Sequence, residues 1–245
     1  MLTEMKKWRL DYLEIVALVI CALLVGAAPA AAQASSPDVA LVTKITGEVS
    51  YGSEGGPLKP AQTFMKIRQG DQFKVPKDGA LQFVFFANGR QETWSGPSNL
   101  VIGDAAGQAT GEKEPLPKPE VIVLPAKATR RLVDAAPLSG ASLRYTGAIQ
   151  TMAPQTTSPL GKPVQPLTAA AQIDLKEAKK TYHQMLKKAS ADDVTPELYY
   201  LSVLADYGQT AEMAEVVAAM AAKRPGDAAV KRMQDWVRAQ SAPRP

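Results

Sequence analysis

The chain has 245 residues, a formal net charge of +4, one cysteine and one histidine. This length suffices for one domain or two small ones. The basic residues form no dense cluster beyond Arg130-Arg131, which argues against a nucleic-acid-binding protein. One histidine and one cysteine also offer too few ligands for a zinc site.

Residues 1–34 have the features of a secretory signal peptide. Basic residues precede an apolar segment, Ile15 to Val25, which is shorter than the roughly 20 apolar residues of a transmembrane helix. We expect cleavage after Ala34, with Ala32 as second choice. An uncleaved membrane anchor is the alternative.

Cys21, the only cysteine, lies inside the apolar segment of this predicted signal. Ile20 precedes it and apolar residues follow, which does not fit a lipoprotein signal. We therefore expect the thiol to be removed with the signal. The mature chain would then hold no disulfide, no thiolate metal site and no cysteine nucleophile.

Residues 39–103 predict a small all-β domain, either a sandwich or a roll. Apolar residues alternate with polar or small ones, as expected of half-buried strands. The alternating apolar residues are Phe73, Val75, Leu81, Phe83 and Phe85. Turn signals separate the runs at Gly70-Asp71, Asp78-Gly79 and Asn88-Gly89. Asp-Gly and Asn-Gly predict tight type I′ hairpins, whose two central residues need positive φ.

The order and spacing of these motifs resemble the FecR-type domain of bacterial periplasmic proteins. The matching motifs are Val42-x-x-Ile45-x-Gly47-x-Val49, Gly70-Asp71-x-Phe73, Gly79-Ala80-x-x-Phe83-x-Phe85, Asn88-Gly89 and Gly96-Pro97. The family usually has Asp-Gly at the position of Asn88-Gly89. The resemblance implies export to the periplasm and a binding or signal-relaying role, and it implies no catalytic site.

Residues 104–167 are predicted to form a proline-rich linker with short strands at 120–124 and 142–150. Four prolines between 115 and 125 favour an extended, stiff chain. Residues 126–134 predict one or two helical turns. Arg130-Arg131 is interpreted as part of a solvated helix face rather than a site for a phosphate or a lipid head group.

Residues 168–240 predict four helices. Thr195 is the expected N-cap of the second, with Pro196 at its first position and Gly208 at its end. Thr210 and Asp227 are the expected caps of the next two. The apolar face of the second helix consists of Leu198, Leu201 and Leu204.

This segment resembles a degenerate tetratricopeptide repeat. Ala178, Tyr182 and Met185 align with Met213, Val217 and Met220 at an offset close to the family's repeat of about 34 residues. Gly208 and Pro225 keep the family's separation, but its usual small residues are replaced by methionine. The resemblance implies a groove for a partner peptide or helix. A plain antiparallel four-helix bundle is the alternative.

We find no enzyme signature and predict no catalytic, cofactor-binding or metal-binding residue. His183 is expected on the surface, and Asp192-Asp193 is interpreted as a solvated pair before a helix. Gly52-x-x-Gly55-Gly56 lacks the residues of a phosphate loop. Phe86 and Trp94 are expected in the core. If the Asn88-Gly89 hairpin sets them on one face, a ligand-facing patch is the alternative.

The sequence therefore predicts an α+β protein that is exported, periplasmic and non-enzymatic, with a binding or scaffold role in the cell envelope. A protein or peptide partner is expected at the C-terminal helices, and an anionic envelope polymer is a further candidate. No cofactor or nucleic acid is expected, and membrane contact only if the signal is uncleaved. The alternatives are a membrane-anchored signal-transduction component and an unrecognised envelope hydrolase.

Overall fold

The computed structural model describes residues 37–53, 55–111, 115–135 and 167–241, which contain ten strands and five helices. The strands are β1 (Asp38–Thr46), β2 (Ser50–Gly52), β3 (Lys59–Pro60), β4 (Lys66–Arg68), β5 (Gln72–Val75), β6 (Ala80–Phe85), β7 (Arg90–Ser95), β8 (Ser98–Ile102), β9 (Gly107–Thr110) and β10 (Glu120–Val123). The helices are α1 (Ala126–Ala135), α2 (Ala169–Leu186), α3 (Thr195–Asp206), α4 (Thr210–Lys223) and α5 (Ala228–Ser241). The predicted signal peptide with Cys21, and the predicted strand at 142–150, lie outside the described residues.

The strands form two five-stranded antiparallel sheets that pack as a sandwich. The inner sheet has the order β10-β7-β6-β1-β4, and the outer sheet has the order β3-β2-β5-β8-β9. The alternating residues of β5 and β6 meet between the sheets, because every second side chain of a strand points to the same face. This core includes Ala40, Val42, Ile67, Phe73, Val75, Leu81, Phe83, Phe85, Trp94, Leu100 and Ile102. The α+β class is confirmed.

The turn signals act differently from the prediction. Asn88-Gly89 does join the paired strands β6 and β7, but only Gly89 has positive φ, and its N–H donates to the Phe85 carbonyl at 3.0 Å. The loop is therefore wider than a type I′ turn. Asp78-Gly79 forms no hairpin, since it leads from β5 of the outer sheet to β6 of the inner sheet.

The helices cover the free face of the inner sheet. Helix α3 lies at the centre and packs against α1, α2 and α4, while α5 packs on α4. Residues Leu41, Phe64 and Val84 of the sandwich belong to the same apolar cluster as the helices. Five of the six residues of β6 are consequently buried. The prediction of half-buried strands is wrong for β6, because a helical layer shields its second face.

Helix α3 is buried on every side, and all its residues from Thr195 to Ala205 are buried. The predicted single apolar face of Leu198, Leu201 and Leu204 is therefore incomplete. A helix in this position needs apolar residues all round, and its two tyrosines, Tyr199 and Tyr200, meet this requirement.

Two of the predicted caps are wrong. Thr195 is the first residue of α3, and the carboxylate of Asp193 accepts its N–H at 2.8 Å. Thr210 likewise lies inside α4, whose N-cap is Gln209. Asp227 does cap α5, since its carboxylate accepts the Ala229 N–H at 2.8 Å. Gly208 ends α3 with φ of 64°, as expected of a helix-terminating glycine.

The predicted domain boundaries also differ from the structure. Strand β9 adds to the outer sheet and β10 to the inner sheet, although both follow residue 103. Helix α1 then packs on α3, which lies in the C-terminal segment. The sandwich and the helices thus share one compact unit. Among the helices of the described residues, none has the length and hydropathy needed to span a membrane.

A candidate binding site along an edge strand

Strand β10 is an exposed edge of the inner sheet. Among the described strands it pairs only with β7, and no other described strand lies along its second side. Its three apolar residues are unusually accessible: Val121 is 40% exposed, Ile122 37% and Val123 65%. Natural edge strands are usually protected by lysine, proline or a covering segment. Among the described residues, no segment covers these three apolar side chains.

The hydrogen-bond pattern shows which backbone groups face the open side. The Leu124 N–H donates to the Gly89 carbonyl at 2.9 Å, which places Leu124 toward β7. Bonding and non-bonding positions alternate along an antiparallel strand. Ile122 therefore also bonds toward β7, opposite Gln91. Val121 and Val123 consequently direct their N–H and carbonyl groups outward.

A cleft of about 400 Å³ lies beside this edge. We call the open edge of β10 together with this cleft the β10 groove. The cleft lies between the end of β10, the C-terminal end of α2 and the start of α3. Its walls include Ile122, Val123, Leu124, Met185 and Pro196. The apolar wall and the open strand edge are therefore continuous.

Two residues that line the β10 groove, Gln91 and Thr195, each have a buried side-chain atom without a partner among the described residues. Gln91 Nε2 donates to Asp193 Oδ2 at 2.9 Å. Because a carboxylate only accepts, this bond fixes which end of the Gln91 amide carries the oxygen. That oxygen, Gln91 Oε1, and Thr195 Oγ1 are buried and have no hydrogen-bond partner among the described residues. Such atoms are uncommon in folded proteins, since each carries a desolvation cost.

The rim of the β10 groove is positively charged. Lys187 and Lys188 follow α2, line the cleft and are exposed. Neither forms an ion pair with another described residue. The nearby carboxylate of Asp193 is already engaged by Gln91 and Thr195. The rim can therefore attract an anionic group.

The loop before α3 is held by two basic residues at the C-terminal end of α4. Lys223 Nζ donates to the Asp193 carbonyl and Arg224 Nε donates to the Asp192 carbonyl, each at 2.9 Å. Asp192 also pairs with Lys44 of β1. Burial opposes ionisation of Asp192, but bonds from Lys44 and Ser190 outweigh it and lower its pKa. This bracing fixes the position of Asp193 in the wall of the groove.

The structure corrects the interpretation of the acidic pair. Asp193 is only 2% exposed and holds both the sheet and the start of α3, so it is not solvated. The sequence signal was ambiguous, because Asp193 and Thr195 are both good N-cap residues. His183 is exposed, in agreement with the prediction, and its ring lies 5.3 Å from that of Tyr182.

Arg130 and Arg131 have different surroundings. Arg130 is exposed, as predicted for a solvated face. Arg131 pairs with Asp206 at the end of α3 and lies 3.8 Å from Asp174 of α2. Arg131 therefore joins three helices.

Phe86 and Trp94 lie on opposite faces of the inner sheet. Trp94 pairs with Leu81 and points into the sandwich, while Phe86 packs against the helical layer. Trp94 is a buried core residue and Phe86 is partly buried against the helical layer, and the shared patch is excluded. The indole N–H of Trp94 donates to Glu92 at 2.8 Å, and the Gly107 N–H donates to the same oxygen at 3.1 Å. Glu92 also accepts from Arg90, so this buried carboxylate has a structural role.

A second polar cluster joins α2, α3 and α4. The rings of Tyr182 and Tyr200 stack with centroids 4.9 Å apart. The buried Glu197 pairs with Lys223 at 2.8 Å. Burial and the neighbouring Glu197 raise the pKa of Tyr182 to about 12. Tyr200 donates to Glu212 at 2.9 Å. These groups stabilise the helix interfaces and do not face the β10 groove.

The described residues contain no group of three acidic, histidine or cysteine side chains placed to hold a metal ion. Compared with models of protein families, with curated proteins and with solved structures, the chain has no match.

Proposed function

We propose that the protein is an exported, non-enzymatic binding or scaffold protein of the cell envelope, and that the β10 groove is its binding surface. An extended segment of a partner protein would add to the inner sheet beside β10. The observation that carries this proposal is the open edge, where the backbone groups of Val121 and Val123 face outward between exposed apolar side chains. Strand addition of this kind is a common mode of peptide recognition.

The sequence supports the envelope location. The signal-like residues 1–34 indicate export, and the motifs of residues 39–103 resemble the FecR-type domain, whose members act in the periplasm. The tetratricopeptide-like character of residues 168–240 fits a protein-binding role. The proposed surface differs from the expected one, however, because it combines β10 with the ends of α2 and α3 rather than using the helices alone.

Envelope fractionation followed by measurement of the N-terminal mass tests the location. A soluble periplasmic species that begins at Ser35 or Gln33 is the expected result. A full-length species in the inner membrane would contradict cleavage and would favour the signal-transduction alternative. A full-length species in the cytoplasm would contradict export.

A pair of variants at Val123 tests the binding surface. Val123→Pro removes an outward N–H without breaking a bond to β7, and Val123→Thr keeps that N–H. Each variant is expressed with a photo-reactive benzophenone residue at Glu120, and cross-links are compared with those from the exposed Lys231 of α5. Cross-links from position 120 should disappear in Val123→Pro and persist in Val123→Thr. Equal cross-linking in both variants would contradict strand addition.

A further inference from the structure

We infer that the segment bound in the β10 groove carries a tyrosine that enters the cleft and, two residues away on the same face, an acidic residue that meets Lys187 and Lys188. This inference rests on the proposed function and specifies the chemistry of the partner. The geometry of the edge, the unpartnered polar atoms and the charge of the rim support it separately.

The geometry of the edge determines where the side chains of an added strand would lie. Val121 and Val123 offer outward hydrogen-bonding groups two residues apart, so the bound segment must be extended over at least three residues. Its side chains would alternate between the two faces of the sheet. Ile122 lies opposite Gln91, whose side chain points to the helical layer. Every second side chain of the bound segment would therefore lie over the cleft.

The wall of the cleft selects the anchoring side chain. Most of it is apolar, with Ile122, Leu124, Met185 and Pro196, which favours a large apolar body. Two further lining residues are polar: Gln91 Oε1 is an acceptor without a donor, and Thr195 Oγ1 is without a partner, among the described residues. An occupant with an O–H group at its tip would supply the missing donor. Tyrosine combines a large apolar ring with such a tip.

The rim selects the acidic residue. Lys187 and Lys188 are adjacent, exposed and without an ion pair among the described residues. The carboxylate closest to them in the groove, Asp193, is buried and already accepts two hydrogen bonds. A carboxylate beside the anchor would therefore meet a rim whose charge is uncompensated, which favours acidic over basic segments.

Fluorescence anisotropy with the mature protein tests the inference. The probes are four labelled peptides with a common background of alternating valine and threonine. They differ only at two central positions that are separated by one residue, so that both variable side chains lie over the cleft. These positions carry Tyr-x-Glu, Phe-x-Glu, Tyr-x-Lys or Phe-x-Lys. A neutral hydrogen bond contributes about 1 kcal/mol, so Tyr-x-Glu should bind about fivefold more tightly than Phe-x-Glu. Tyr-x-Lys should bind at least about tenfold more weakly at low salt, because like charges oppose binding.

Protein variants separate the two contributions. The double variant Lys187→Glu with Lys188→Glu should reverse the preference between Glu and Lys peptides and keep the preference for Tyr. Gln91→Leu removes the unpartnered oxygen and should reduce the ratio between Tyr and Phe peptides to near one. Circular dichroism and urea unfolding confirm that each variant remains folded. Val123→Pro should abolish binding of all four peptides.

Other results would overturn the inference, and some of these would still be consistent with the proposed function. Four peptides that bind equally, and are all lost in Val123→Pro, would reject the partner chemistry and leave strand addition in place. The same holds if no peptide binds while cross-links from position 120 remain sensitive to Val123→Pro. A dimer that Val123→Pro dissociates would show that a second copy occupies the groove. Loss of both peptide binding and the sensitive cross-links would reject both proposals.

Discussion

Asp193→Ala should remove one defined contact between the helical layer and the inner sheet, the hydrogen bond to Gln91. The substitution removes the acceptor of the Thr195 N–H and the acceptor of Gln91 Nε2. Asp193 is 2% exposed, so water cannot replace either bond without entering the interface. The change therefore tests whether this buried carboxylate holds the two layers together.

The expected loss of stability follows from the two bonds. Asp193 precedes the N-cap, but its carboxylate bonds an N–H of the first turn as an N-cap side chain does, and removal of such a bond costs about 1 kcal/mol. Removing a buried hydrogen bond to a charged group costs about 2 kcal/mol, and it leaves the Gln91 amide without a partner at either end. We expect Asp193→Ala to lower the free energy of unfolding by about 3 kcal/mol. Asp193→Asn keeps an acceptor for Thr195 and should cost about 1 kcal/mol.

Equilibrium urea unfolding provides the measurement. Trp94 reports on the sandwich and Trp236 on the helical layer, and far-UV circular dichroism reports on the helices. Because the layers share one apolar cluster, the fluorescence and dichroism transitions should coincide in the parent protein. A double-mutant cycle with Gln91→Ala isolates the contact between the layers and should give a coupling of about 1.5 kcal/mol. A coupling below about 0.5 kcal/mol, or a loss as small for Asp193→Ala as for Asp193→Asn, would refute the reasoning.

Three further substitutions test other parts of the fold. Gly96→Ala would place a Cβ 1.6 Å from the Pro76 carbonyl oxygen, whereas Gly55 has open space around it and needs only its positive φ. Thermal unfolding should show a loss of stability above about 3 kcal/mol for Gly96→Ala and of about 1 kcal/mol for Gly55→Ala. Equal losses would contradict the contact between position 96 and Pro76. The folded protein raises the pKa of Tyr182 to about 12, so above about pH 10 the unfolded chain loses the phenol proton before the folded chain does. The free energy of unfolding therefore falls as pH rises through this range. Tyr182→Phe should make that fall less steep in urea unfolding from pH 9 to 11, although the raised pKa values of Tyr199, Tyr200 and Tyr207 keep part of it. An unchanged slope would contradict the assignment. Arg131→Met removes an ion pair that is partly exposed, so it should cost less than about 1 kcal/mol, and the cost should shrink in 1 M salt; a loss that salt does not change would point to packing instead.

The sequence was sufficient for the class and for most elements, because their signals are local. Alternation identified β5 and β6, and the helical spacing after residue 168 identified four helices. Gly208 and Asp227 ended and began helices where their local chemistry requires it. Such features depend on a few neighbouring residues and hardly on the rest of the fold.

The remaining features depend on partners that are distant in the sequence. Asp78-Gly79 has the composition of a hairpin turn, but nothing local tells which sheet the next strand joins. The N-cap of α3 is Val194, and the Thr195 N–H is bonded instead by Asp193, which also binds Gln91, about 100 residues earlier in the chain. The β10 groove was missed for the same reason, since a strand becomes an edge only through the order of the whole sheet.

The helical cover of the inner sheet has a consequence for the timing of folding. A chain that is synthesised from its N-terminus completes β6 at Phe85, but the helix that covers the second face of this strand begins only at Thr195. At synthesis rates of about 5 to 20 residues per second, the intervening residues take roughly 6 to 22 s. Until α3 is present, Leu41 and Val84 lack the helical layer that buries them in the folded protein. The inner sheet therefore keeps an uncovered apolar face until the synthesis of the chain reaches this helix.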